Sequence, residues 1–276
     1  MAYKSLLVHV DDTPSYRSRL DVAARLARDF GAGLIGVYLV RGTTFTPSGA
    51  ALLPADVTAA RLDALSEAQN HAEAAFRSRA GAAGVRDVGF RAPTGAVDDA
   101  MVLAARCSDL VILSQQDPNS GGTDTFASTV ILSCGRPTLV VPYIDAPSGF
   151  GERVLIAWDG GREATRAVAD AMPLLARARK VDVIAVDNDN DDDVPERLSA
   201  ARLSAWLAAH GVRADIDRQE SGDVGIGEWL LSRVADLSAD LLVMGGYGHP
   251  RMRELVLGGV TRTMLRSMTV PVLMSP

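Results

Sequence analysis

The sequence predicts an α/β chain of two tandem doubly wound parallel-sheet domains, on three observations. Short, near-continuous runs of Val, Ile and Leu alternate with longer stretches in which Leu and Ala recur at three- and four-residue spacing. The runs lack a polar face, as strands covered by crossover helices on both sides do. The whole succession also occurs twice in the same order, so 276 residues divide into two domains of ordinary size.

The first repeat opens on Lys4-Ser-Leu-Leu-Val-His-Val10-Asp11, an apolar strand ending in an acid, with a helical stretch from Pro14 to Phe30 behind it. A second strand covers Leu34 to Val40, and helical spacing returns from Ala59 to Ala80. Asp109-Leu-Val-Ile-Leu113 is the fourth strand, and Pro137 to Pro142 closes the repeat. The second repeat follows the same plan: Glu152 to Asp159, a helix from Arg162 to Ala178, a strand from Val181 to Val186, and helical spacing from Pro195 to His210. It then runs through Asp240-Leu-Leu-Val-Met244 and closes on Pro271 to Pro276. Asp145 to Phe150 has linker composition. Domains over residues 1–145 and 151–276 follow, each with five strands and four helices. Their last strands, Pro137 to Val141 and Val270 to Met274, are apolar edges. Homologous patches pair as in a symmetric dimer, so an internal pseudo-dimer through these strands is expected; further homodimerisation stays open.

Composition excludes several function classes. Hydrophobic residues make up 47% and aromatics only 5%, so the core is aliphatic. The net charge of −6 speaks against a nucleic-acid surface. Cys107 and Cys134 have neither disulfide-framework nor metal spacing, which fits a reducing cytoplasm. His9, His71, His210 and His249 form no zinc pattern, and His9 reads as a core residue. No apolar run approaches the ~20 residues of a membrane-spanning helix, so no membrane partner is expected.

Ligands of doubly wound sheets bind beyond the carboxyl ends of the strands, where strand order reverses. That directs attention to Asp11, Asp159 and the segments after Leu113 and Met244. The last of these, Gly245-Gly-Tyr-Gly248-His-Pro-Arg-Met-Arg-Glu-Leu-Val-Leu-Gly258-Gly259-Val260-Thr261, leads from a strand into the final helix. Glycines let backbone approach a ligand, and a helix N-terminus seats phosphates. The same glycines also suit a turn and helix cap with no ligand.

The spacing Gly245-x2-Gly248-x9-Gly258 behind Asp240 to Met244 resembles the nucleotide-binding signature of the universal stress protein family. The resemblance covers both repeats, with the full glycine pattern in the second alone. It implies an adenine nucleotide alpha hydrolase-like fold and a bound ATP, ADP or AMP, with Mg as a companion ion. By position, Asp159 would reach the adenosine end, Ala157 and Trp158 would line its approach, and the Val186 backbone would meet the adenine. Met244, Gly245 and Gly248 would pass under the ribose and first phosphates, and Gly258, Gly259, Val260 and Thr261 would cradle the phosphate chain. Gly259 stands where the family has Ser or Thr, while Thr261 still offers a hydroxyl.

In the first repeat Ser114-Gln-Gln-Asp117 replaces the leading glycines, and an acid there repels phosphate. Its site is expected to be lost, with Asp11 serving as a helix N-cap. Ser120-Gly-Gly-Thr-Asp-Thr125 resembles the phosphate loop of adenylating pyrophosphatases, but follows the fourth strand where those enzymes carry it after the first. Asp187 to Asp193 has Asp192 and Leu198 where a calcium loop needs Gly and Glu, and reads as a solvated acidic loop. No residue supplies an evident catalytic base. The expected function is therefore an ATP-binding stress or regulatory protein; a non-nucleotide interaction module and a slow nucleotide hydrolase are the alternatives.

Overall fold

The computed structural model describes residues 2–40, 55–118, 125–144, 149–186, 200–219, 225–247 and 259–276. Over these the chain carries ten strands and eight helices. Compactness groups them into two units, Tyr3–Leu113, and Ser114–Pro276 together with Met1–Ala2.

The first unit runs β1 (Ser5–Val10), α1 (Tyr16–Phe30), β2 (Gly33–Tyr38), α2 (Ala55–Ala82), β3 (Val88–Arg91), α3 (Val97–Ala105) and β4 (Leu110–Ser114), which ends at its boundary. The strands are parallel in the order β3-β2-β1-β4. Chain direction across the sheet therefore reverses between β1 and β4. Leu6, Leu7, Val8 and Val10 of β1 are all buried, as a strand covered on both faces requires. α1 stops where Gly31 takes φ 62°, a left-handed turn that burdens other residues by about 1–2 kcal/mol.

The second unit holds α4 (Phe126–Ser133), β5 (Thr138–Val141), β6 (Arg153–Trp158), α5 (Arg162–Leu175), β7 (Lys180–Val186), α6 (Ala200–Ala209), β8 (Asp215–Gln219), α7 (Ile226–Asp236), β9 (Leu241–Gly245), α8 (Gly259–Ser267) and β10 (Val272–Ser275). Its strands lie in the order β5-β10-β9-β6-β7-β8. All neighbours are parallel except β5 and β10, which pair antiparallel with Val272 opposite Val140 and Met274 opposite Thr138. These are the two closing strands whose contact the sequence leads one to expect. On one sheet face Leu155, Ala157, Leu242, Met244 and Met274 pack with Leu230 and Val234 of α7 and Met264 of α8. Each such large side chain contributes roughly 1.5–3 kcal/mol on burial.

The repeat extends to individual hydrogen bonds. In the first unit the Asp109 carboxylate accepts the backbone N–H groups of Lys4 and Ser5 at 2.7 and 3.0 Å. In the second, the Asp240 carboxylate accepts those of Gly151, Glu152 and Arg153 at 2.8, 3.1 and 3.0 Å. The N–H of each aspartate returns a bond of 2.8 Å to the first strand, at Ser5 and Arg153. One acid thus satisfies the unpaired donors at the start of the first strand in each repeat.

No helix among the described residues is long and apolar enough to cross a membrane.

Candidate functional site

Of the sequence-derived site residues, Ala157, Trp158 and Asp159 lie at the carboxyl end of β6, Val186 at that of β7, Met244 and Gly245 at that of β9, and Gly259, Val260 and Thr261 at the start of α8, all in the second unit. Ile156 sits opposite Val243 in the parallel pair of β6 and β9. Continuing the register brings Trp158 level with Gly245, so Asp159 follows at the rim. Asp159 is exposed, and its Oδ1 accepts the Gly161 N–H at 2.8 Å, closing the turn into α5. Gly160 in that turn has φ 67°.

The glycines at the end of β9 and the start of α8 have distinct reasons. A Cβ on Gly245 would lie 2.7 Å from the Ala164 backbone nitrogen and 2.9 Å from the Glu163 carbonyl carbon. The first turn of α5 therefore rests directly on Gly245, and its lack of a side chain is demanded by helix–sheet packing. Gly246 donates to the Ser275 carbonyl at 2.8 Å, and a Cβ there would come within 3.0 Å of Ile131 Cγ2. Gly259 opens α8 with nothing near its would-be Cβ and without a left-handed φ, so the negative φ expected of a helix-opening residue suits it.

Ala157 and Met244 belong to the buried core, which leaves their backbones as the groups able to meet a ligand. Trp158 is 8% exposed, and its indole Nε1 is buried with no hydrogen-bond partner among the described residues. Buried donors are nearly always satisfied, so this orphan at a strand's carboxyl end is notable. Val186 closes β7 opposite Gln219. Val260 is half-buried at the α8 start. Thr261 is buried, and its Oγ1 accepts the Tyr247 N–H at 3.3 Å. Gly248 and Gly258 lie outside the described residues, as do His249, the acidic loop and most of Ser120 to Thr125.

Two residues of this corner escaped the sequence reading. Glu163, in the first turn of α5, is 6% exposed and pairs with the Arg162 guanidinium at 2.8 Å. Its position four residues after Asp159 was the available signal. Tyr247 adopts φ 63°, rare for a side-chain-bearing residue, and sequence offers no sign of it. Its side chain packs against the core cluster, and burial raises the phenol's pKa while Ser128 partly offsets this.

The matching corner of the first unit is closed by its own side chains. Asp11 does not cap α1, whose N-cap is Ser15; this corrects the sequence expectation. Its carboxylate instead accepts the Thr13 N–H and hydroxyl at 3.1 and 2.7 Å and the Arg19 guanidinium at 2.8 Å. The helix starts too far past Asp11 for a cap, and Arg19 in its first turns reaches back to claim the acid. His9 is a core residue as expected, with Nε2 2.8 Å from the Leu39 carbonyl and Nδ1 3.4 Å from Asp11 Oδ2.

Residues 151–276 match the family model described as the Universal stress protein family. A universal stress protein of Synechocystis sp. is 27% identical over 202 residues, a match spanning 69% of this chain and 66%, just under two thirds, of that relative. A universal stress protein from Archaeoglobus fulgidus superposes with a TM-score of 0.74 at 16% identity, covering 98% of this chain and 97% of that one. A functionally unknown protein from Pseudomonas aeruginosa gives a TM-score of 0.61 at 14% identity, covering 99% and 92%. At these identities the solved structures speak to the fold alone.

Proposed function

We propose that the chain, whose residues 151–276 match the family model described as the Universal stress protein family, is a cytoplasmic stress-response protein that binds an adenine nucleotide, ATP or its ADP and AMP forms, at one site in that region. The tandem reading, with domains at 1–145 and 151–276, goes with it. The nucleotide would span the carboxyl ends of β6 and β9. Asp159 would bind the ribose, the Val186 backbone the adenine, and the backbone from Met244 to Gly248 the ribose and first phosphates. Gly258, Gly259 and Val260 would then receive the phosphate chain at the N-terminus of α8, where free N–H groups and the helix dipole favour anions. Mg would arrive with the phosphates and be held by them.

The observation that carries this reading is the hydrogen bond between Tyr247 and Thr261. It ties Tyr247, two residues past β9, to the first turn of α8, which supports a ligand that meets both the strand end and the helix N-terminus. The Trp158 indole N–H, which has no partner among the described residues, adds support, since a buried donor calls for an acceptor.

A second reading, an interaction module without nucleotide, draws on Gly245, whose missing side chain is already explained by the packing of α5. Protein denatured after purification from cell extract distinguishes the two. Release of an adenine nucleotide near one per chain supports the first; no release, and no heat on titrating ATP, overturns it.

A further inference from the structure

We infer that Tyr247 and Thr261 form a clamp that fixes the turn over Gly245–Tyr247 before any ligand arrives, so Thr261 acts on binding as a positioning residue and not through a phosphate contact. The inference rests on the nucleotide site proposed above.

Thr261 is 3% exposed, and its Oγ1 accepts the Tyr247 N–H at 3.3 Å. A hydroxyl so buried and so engaged is poorly disposed to meet a solvent-borne polyphosphate. Gly259, two residues earlier, is exposed, and no described atom lies within 4 Å of where its Cβ would stand. The two positions therefore divide the work of the helix N-terminus: one faces outward, the other inward.

Tyr247 makes the inward contact at a conformational cost. Among the described residues only Ser238 and Tyr247 combine a side chain with positive φ, at 48° and 63°. Glycine would meet that conformation without strain. The tyrosine gains something in exchange: its ring packs against the core cluster that contains Met264 of α8 and Ile131 of α4. Just before it, the Gly246 N–H is tied to the Ser275 carbonyl at 2.8 Å. The turn is thus pinned at consecutive residues, to β10 through the Gly246 N–H, to α8 through the Tyr247 N–H, and to the core cluster through the Tyr247 side chain. Strain held by several independent contacts is the arrangement found where a backbone must be pre-shaped for binding.

Hydrogen–deuterium exchange of the nucleotide-free chain, paired with ATP titration, tests the clamp. Thr261→Val removes the acceptor while keeping shape, and Thr261→Ser keeps the acceptor. The valine variant should speed exchange at the Tyr247 amide about fivefold or more and weaken ATP by a similar factor, the worth of one ordinary hydrogen bond. Serine should restore both. Tyr247→Ala and Tyr247→Gly both lack the ring, so their difference reads the positive φ alone, with glycine binding ATP about tenfold tighter than alanine. Unchanged Tyr247 exchange in Thr261→Val overturns the clamp. Faster exchange with unchanged ATP affinity overturns its role in binding. Failure of the wild-type chain to bind ATP overturns the nucleotide reading instead, and the exchange result still decides whether the clamp exists.

Discussion

Arg19 Nη2 donates to Asp11 Oδ1 at 2.8 Å, with the arginine side chain 1% exposed. The guanidinium also donates from Nε to the His9 carbonyl at 2.8 Å. A cation from the protein itself thus takes the acid that ends the first strand. In the second repeat the matching Asp159 is exposed and accepts only the Gly161 N–H at 2.8 Å among the bonds seen for it. Arg19 thus takes the first acid, whereas among the described residues no cation meets the second.

Removing the charge of Asp11 should be costly. Asp11→Asn leaves a buried guanidinium without its counter-charge, and such losses destabilise by about 3–5 kcal/mol. Chemical denaturation should show this, while ATP affinity in the other repeat stays as in the wild type. Burial alone would raise the Asp11 pKa, but Arg19, His9 and Thr13 together bring it below its ordinary value. A depressed folded pKa adds stability above the unfolded pKa of about 3.9, lost as pH falls through the folded value. The gap between wild type and Asp11→Asn should therefore narrow below about pH 4.

Asp170 behaves in the opposite sense. Burial raises its pKa, only partly countered by the Ser275 hydroxyl, which donates to it at 2.8 Å, and by Arg166 and Arg136. A raised carboxyl pKa means stability is fully present below the unfolded value and lost as pH rises through the folded one. Asp170→Asn keeps an acceptor for Ser275 and removes the buried charge. It should melt higher than wild type at pH 7, with the difference vanishing near pH ~3.5, below the unfolded pKa.

Gly245 and Gly259 should respond differently to a side chain. Gly245→Ala sets a Cβ 2.7 Å from the backbone nitrogen of Ala164, so α5 must shift, at a cost of about 1–3 kcal/mol read from denaturation. Gly259→Ser meets no described atom within 4 Å at its Cβ and no left-handed strain. If phosphates lie there, the new hydroxyl gains a bond to a charged acceptor, worth about 1.5–3 kcal/mol, or roughly tenfold or more in affinity. Calorimetric titration of ATP gives the answer, and unchanged affinity removes the phosphates from that helix end.

Stoichiometry tests the closed first corner. One ATP per chain is expected. Gly248→Val should abolish binding by filling the phosphate approach, and Asp117→Val should leave it intact. Two sites per chain would contradict the filled Asp11 corner.

The sequence by itself determined the class of fold, because the signals are periodic and local. Apolar runs such as Leu6 to Val8 and Leu241 to Val243 are buried at every position and can only be interior strands. The recurrence of Asp109 and Asp240 before the fourth strands was equally legible, and so was His9 as a core residue. What those aspartates do was not, since their partners at Lys4 and Arg153 lie 105 and 87 residues away in sequence. The same limit hid the fate of Asp11. An acid after a strand reads as a cap, and only the folded helix shows Arg19 reaching back to it. It also hid the purpose of Gly245, which is set by a helix packing across the sheet, and the left-handed Tyr247, held by contacts with Thr261, the core and its pinned neighbour. Periodicity encodes which face is buried. The assignment of a particular hydroxyl or carboxylate to a partner depends on distances that exist only once helices and strands have closed on one another.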